Sequence, residues 1–163
     1  MNIRKTKVTD LDTVMDIYAA AREFMVATGN PRQWAARAWP PREKILGDIE
    51  QERSYVCLQG EEILAVFFYQ YGHDIDPTYR KIVDGNWISD GPYGVVHRIA
   101  ACAGSGAGKF CINWAFDQCG HLRIDTHGDN RVMQKVLENL GFTRCGTIYI
   151  EEDNDPRIAY EKI

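Results

Sequence analysis

Residues 93–116 read YGVVHRIAACAGSGAGKFCINWAF, and the fold turns on this stretch. Val95, Val96, His97, Arg98 and Ile99 make a β-rich, mostly apolar run, the pattern of a strand. Small residues lead from it to Gly104-Ser105-Gly106-Ala107-Gly108-Lys109, after which Phe110, Cys111, Trp114 and Ala115 recur at helical spacing. Three glycines in five residues remove the Cβ atoms that would hold a ligand off the backbone. The following helix turns its unpaired N–H groups and positive dipole end toward the loop, which suits a phosphate. The stretch predicts a strand–loop–helix seat for a phosphorylated cofactor; a loop that only turns the chain is the alternative.

Toward the N-terminus, Asn2 to Val8 predict a first strand. Thr9 or Asp10 then caps a helix whose apolar face is Leu11, Val14, Ile17, Tyr18, Ala21, Phe24 and Met25. Thr28-Gly29-Asn30-Pro31 ends that helix. Trp34 and Trp39, beside Arg32 and Arg37 and before Pro40-Pro41, either line a substrate pocket or close over the core. A second helix follows Pro41, with Ile45, Leu46 and Ile49 inward. Tyr55–Leu58 and Ile63–Tyr71 predict a hairpin around Gln59-Gly60-Glu61-Glu62. The polar segment from Gly72 to Pro92, anchored by Tyr79, Ile82, Val83 and Trp87, reads as irregular structure or a short helix that walls a site.

Toward the C-terminus, Leu122–Thr126 predict a short strand, and Asp129 or Asn130 opens a helix with Val132, Met133, Val136, Leu137 and Leu140 apolar. Gly141 is its left-handed cap, and Thr147–Ile150 and Arg157–Tyr160 close the chain as strands. Hairpins combined with crossover helices imply an α/β protein with a mixed sheet and helices on both faces. This order excludes a simple doubly wound fold.

The totals bound the function. A chain of 163 residues is expected to form one domain over 1–163. A net charge of −4 without any basic run argues against nucleic acid as a partner. No apolar stretch approaches the about 20 residues that span a bilayer, and MNIRKTKVTD has no apolar signal region, so a cytoplasmic protein without a membrane partner is expected. Cys57, Cys102, Cys111, Cys119 and Cys145 lack the spacing of a zinc site; reduced thiols and no metal are expected.

With these elements in order, the chain resembles the GNAT superfamily of acyl-CoA-dependent N-acetyltransferases over essentially its whole length. The family pattern Arg/Gln-x-x-Gly-x-Gly/Ala falls on Ala103-Gly104-Ser105-Gly106-Ala107-Gly108. The family's second motif, a strand, an Asn opening a helix and a closing Gly-Phe, matches Leu122 through Asn130 to Leu140-Gly141-Phe142. The resemblance implies a sheet of about six to seven strands, splayed where acetyl-CoA lies. It implies that backbone near Ile99 and Ala101 pairs with the pantetheine arm. Gly104, Ser105, Gly106, Ala107 and Gly108 would cradle the pyrophosphate with Lys109 nearby, while Asn130 and Met133 approach from the other side. The implied acceptor is a primary amine of a small molecule, and a homodimer is left open.

Ala103 stands where relatives carry Arg or Gln, and Leu137 where many carry a Tyr that acts as general acid toward the departing thiolate. Either Tyr149 supplies that proton or the thiolate leaves unaided. The alternative is an acyl-CoA-binding module of the same fold that turns nothing over. Direct transfer also needs a base, and His97 is the candidate, sharing the strand parity of Ile99 and Ala101 if no bulge intervenes; a hydrogen-bonded core histidine is the alternative. His127 is read as capping its turn, His73 and His121 as surface or turn residues. A nucleotide-hydrolase reading of Gly104–Phe110 fails because Phe110 stands where a hydroxyl would bind Mg²⁺.

Overall fold

The computed structural model describes residues 1–163. Its strands are β1 (Asn2–Lys5), β2 (Ser54–Gln59), β3 (Glu62–Gly72), β4 (Tyr93–Ala101), β5 (Leu122–His127), β6 (Thr143–Tyr149) and β7 (Pro156–Lys162). Its main helices are α1 (Leu11–Ala27), α2 (Arg42–Glu50), α3 (Ala107–Cys119) and α4 (Arg131–Asn139). The strands form one seven-stranded sheet in the order β1-β2-β3-β4-β5-β7-β6. Only β4 and β5 run parallel.

The two faces carry separate cores. On one, α3 and α4 bring Ala107, Cys111, Ile112 and Leu137 onto Phe67, Val96, Leu122 and Ile124. On the other, α1 and α2 bring Val14, Tyr18 and Ile45 onto Val56, Val66 and Ala100. The segment between β3 and β4 extends this second face: Tyr79 is buried with Tyr93, Val95, Ile148 and Ala159. That segment presses close to β6, since a Cβ at Gly85 would lie 1.8 Å from the Cys145 carbonyl oxygen. Only glycine fits there.

Trp34 closes over the core: it is buried, with its ring edge-on to Tyr18 at 5.8 Å. Trp39 stays half-buried beneath the Arg37 guanidinium. Asp10 precedes α1 but turns backward, accepting from the Lys7 amide and pairing with Arg4, because Val8–Asp10 forms a short 3-10 turn first. The strand β6 starts four residues before the expected Thr147, on Thr143 and Arg144, whose exposed polar side chains hide a strand from sequence patterning. His121, read as a surface or turn residue, lies in the turn between α3 and β5 but is buried: it bonds Glu161 of β7 and the Pro92 carbonyl.

Two irregularities shape the centre of the sheet. The strands β4 and β5 pair only at Gly94–Leu122 and Val95–Arg123 and then part. A β-bulge also interrupts β4, where Phe68 pairs with His97 and Val66 with Ala100, so Phe67 alone faces Arg98 and Ile99. Arg98 sits in the left-handed region at φ 48°, a conformation costing roughly 1–2 kcal/mol for a non-glycine residue. Three contacts offset it. The Tyr18 hydroxyl donates to the Arg98 carbonyl at 2.7 Å. The Arg98 guanidinium grips Asp48 of α2 at 2.8 and 3.0 Å and lies 4.6 Å over the Phe68 ring.

Candidate functional site

The splay produces a cleft of about 430 Å³. One wall is α1, with Ile17, Ala20, Ala21, Phe24 and Met25; the floor is Ile99 to Ala103; the far wall is Asn130, Val132, Met133 and Val136. The lining is mostly apolar. From Val96 to Ala101 the edge of β4 that would face β5 has no strand partner, so part of the cleft floor is open peptide backbone that an amide-bearing ligand can pair with.

At the cleft's end lies the glycine loop. Gly104 and Gly106 both take φ 73°, and nothing stands within 4 Å of where their Cβ atoms would be. Ser105 ties the turn, its hydroxyl donating to the Cys102 carbonyl and accepting from the Ala107 amide. The amides of Gly104, Gly106, Gly108 and Lys109 have no acceptor within the chain. Free donors at a helix N-terminus form an anion seat, and the exposed Lys109 side chain adds charge beside it. The loop lies close to β4, for a Cβ at Gly108 would touch that of Ala101 at 3.7 Å.

Across the cleft, Asn130 caps α4 by accepting from the Met133 amide at 3.0 Å, and donates to Gln33 Oε1 at 3.0 Å. The oxygen of Asn130 is thus committed to the helix, and its amide is partly committed to the segment after α1. Arg32 reaches the same turn, pairing with Asp129 and holding its carboxyl below the ordinary range. His127 accepts from the Asp129 amide at 2.9 Å and so caps this turn. Burial, with Arg157 nearby, pushes the His127 imidazole toward its neutral form.

His97 does not share a face with Ile99 and Ala101. The bulge at Arg98–Ile99 breaks the alternation, so Ile99 packs toward α3 while His97 stays with Phe68 on the opposite face. There it meets a polar group that the sequence did not single out as a unit. His97 Nε2 lies 2.8 Å from Asp76 Oδ2, and Nδ1 lies 3.7 Å from Asp125 Oδ1. The Tyr79 hydroxyl donates to that same Asp125 oxygen at 2.7 Å. Burial and the Asp125 charge push the Tyr79 phenol well up, so it remains a donor. Burial raises the Asp76 carboxyl, but the hydrogen bond and charge of His97 and the Thr78 amide outweigh it, and the net shift is downward. Asp76 is the N-cap of the 3-10 turn Pro77–Arg80; Asp-Pro-Thr is a cap signal that could have located it from sequence.

Tyr149 stands exposed at the end of β6 and is not among the residues lining the cleft. Leu137 is fully buried between α4 and the sheet.

A mixed sheet opened between its two parallel strands, with a helix N-terminus at the mouth, is the arrangement of the GNAT fold. The chain has the GNAT fold and resembles that superfamily's members. It is similar over 99% of its length to 94% of a GNAT-family acetyltransferase from Streptococcus agalactiae 2603, at 28% identity and a TM-score of 0.89. A GNAT-family acetyltransferase from Listeria monocytogenes 4b F2365 shares the fold at 16% identity and a TM-score of 0.70, covering 99% of this chain and 93% of that one. The ribosomal-protein-S18-alanine N-acetyltransferase of Escherichia coli shares it at 15% identity and a TM-score of 0.62, covering 99% and 92%. No family model matches the sequence, and no curated protein matches it. No helix is long and apolar enough to cross a membrane.

Proposed function

We propose that the protein moves an acetyl group from acetyl-CoA directly to a primary amine of a small molecule. The observation that carries this reading is the cleft itself: an apolar slot along unpartnered β4 backbone, ending at four unpaired amides of Gly104, Gly106, Gly108 and Lys109. The residues fit the co-substrate chemically. Ile99 to Ala101 offer backbone to the pantetheine amides, Met133 and Val136 pack the arm, and the loop holds the pyrophosphate. Asn130 orients the entrance through its remaining amide hydrogen.

His97, which does not line the apolar cleft but borders the parting of β4 and β5, serves as the base. The acceptor nitrogen attacks the thioester carbonyl, a C–N bond forms and the C–S bond breaks. The amine's proton passes to His97, directly or through water, and the electron pair leaves with sulfur. With Leu137 buried and apolar and Tyr149 exposed at the end of β6, the thiolate departs to solvent without a protein acid. The same buried Leu137 favours the second reading, a module that binds acyl-CoA without catalysis.

Titration calorimetry with acetyl-CoA, CoA and ATP·Mg²⁺ tests the proposal, followed by an amine screen with thiol detection for wild type and His97→Ala. Micromolar binding of acetyl-CoA, silence toward ATP and thiol release that His97→Ala abolishes are expected. Failure of both CoA species to bind refutes the reading. Binding without turnover of any amine selects the binding module.

A further inference from the structure

The 3-10 turn Pro77–Arg80, with its N-cap Asp76, places two side chains on either side of one imidazole. Asp76 arrives with both oxygens engaged: Oδ1 accepts from the Thr78 amide at 2.9 Å, and Oδ2 meets His97 Nε2 at 2.8 Å. Tyr79, one residue beyond Thr78, is buried and bonds Asp125 on β5. Trp87 in turn donates to the Tyr79 carbonyl at 2.9 Å, which fixes the turn from behind.

An ionised carboxylate can only accept, so Nε2 must carry the hydrogen in the bond to Asp76. The lone pair of the neutral imidazole then lies on Nδ1. That atom has no hydrogen-bond partner: Asp125 Oδ1 is 3.7 Å away and takes the Tyr79 proton instead. Val95 and Arg123 are the last paired residues of β4 and β5. His97 and Asp125 each lie two residues past that pair, so the space between Nδ1 and Asp125 opens where the sheet parts.

We infer that Asp76 is the positioning residue for His97. It holds the ring as the Nε2–H tautomer and aims the Nδ1 lone pair across the splay, where the acceptor's proton is received. This inference rests on His97 being the base of the proposed transfer. The other charged or titratable groups around the ring are Tyr79, Asp125, Arg157 at 3.9 Å from Asp125, and Arg98, whose charge Asp48 of α2 holds; β3 contributes only the Phe68 ring. When the ring takes a proton at Nδ1, Asp76 remains against Nε2–H and stabilises the imidazolium, as a carboxylate behind an imidazole does.

Nitrogen-15 NMR of the histidine rings and rate–pH profiles for wild type, Asp76→Asn and Asp76→Ala test it together. The neutral form of wild-type His97 is expected as the Nε2–H tautomer. Asp76→Asn leaves one acceptor oxygen for two donors, the Thr78 amide and the imidazole N–H, and removes the charge, which moves the acid limb of kcat/KM to lower pH by about one unit. Asp76→Ala mixes the tautomers and lowers kcat at least about tenfold, with the KM for acetyl-CoA held within about twofold. An Nδ1–H tautomer in wild type overturns the inference, as does an acid limb that stays in place in both variants. If His97→Ala keeps full activity while the NMR tautomer is as stated, the base reading itself fails and Asp76 loses its catalytic role with it.

Discussion

Asp48→Asn is the sharpest test of how the centre of this sheet is built. The Asp48 and Arg98 side chains are 7% and 11% exposed and joined by two hydrogen bonds. Removing one partner of a buried ion pair typically costs about 3–5 kcal/mol, because the other charge is left without compensation. Asparagine keeps one acceptor oxygen and Arg98 reaches a little water, so the low end applies, about 3 kcal/mol. For a chain of this size that lowers Tm by roughly 6–12 °C. Urea denaturation should show the same loss as a lower midpoint with an unchanged slope. Tyr18→Phe strips the hydroxyl from the Arg98 carbonyl and costs about 1–3 kcal/mol. The double variant should fall short of the sum, since both contacts hold the same residue. Acetyl-CoA affinity should drop as well, because the bulge sets which way Ile99 faces. A loss under about 1 kcal/mol with unchanged affinity would refute the view that this ion pair holds Arg98 at positive φ.

Two further outcomes follow from the cores. Leu137→Tyr, which would place a phenol where many relatives carry one, should fail to raise kcat and should cost about 1–3 kcal/mol by overpacking, since Leu137 is fully buried; urea midpoints and turnover measure both. Burial pushes the Glu161 carboxyl up, yet His121, the Ile88 amide and Arg123 together hold it below its ordinary value of 4.5. A depressed carboxyl contributes stability that is complete above the unfolded-chain value and is lost as pH falls through the folded one. Urea midpoints should therefore decline below about pH 4.5, and Glu161→Gln should be less stable at neutral pH but flatter toward acid.

Much of the chain was legible because its signals are local. Glycine spacing, the Asn130 cap and helical periodicity over Leu11–Tyr18 and Phe110–Ala115 each act within a few residues, and α1, α3 and α4 lie where they point. The bulge was not legible. Strand parity placed His97 with Ile99, and what breaks that parity comes from Tyr18 and Asp48, 80 and 50 positions away in sequence. The burial of His121 was hidden for the same reason: its partner Glu161 lies 40 positions on. A polar residue looks like a surface residue until its distant counter-charge is known. The grouping of Asp76, Tyr79 and Asp125 around His97 likewise needed the sheet to bring β5 beside the 3-10 turn.

The narrow junction between β4 and β5 divides the sheet into a four-stranded wing, β1 to β4, and a three-stranded wing, β5 to β7. Two residue pairs join the two strands, the bridge of Val83 to Thr147 ties the segment before β4 to β6, and beyond Val95 and Arg123 the joint between β4 and β5 is an open seam. A long ligand laid in that seam, bonded to β4 on one side and packed on α4 on the other, acts as a rivet between the wings. Its occupancy should therefore slow amide hydrogen exchange in β5 and α4 as well as in the glycine loop, making the co-substrate a mechanical part of the protein for as long as it stays.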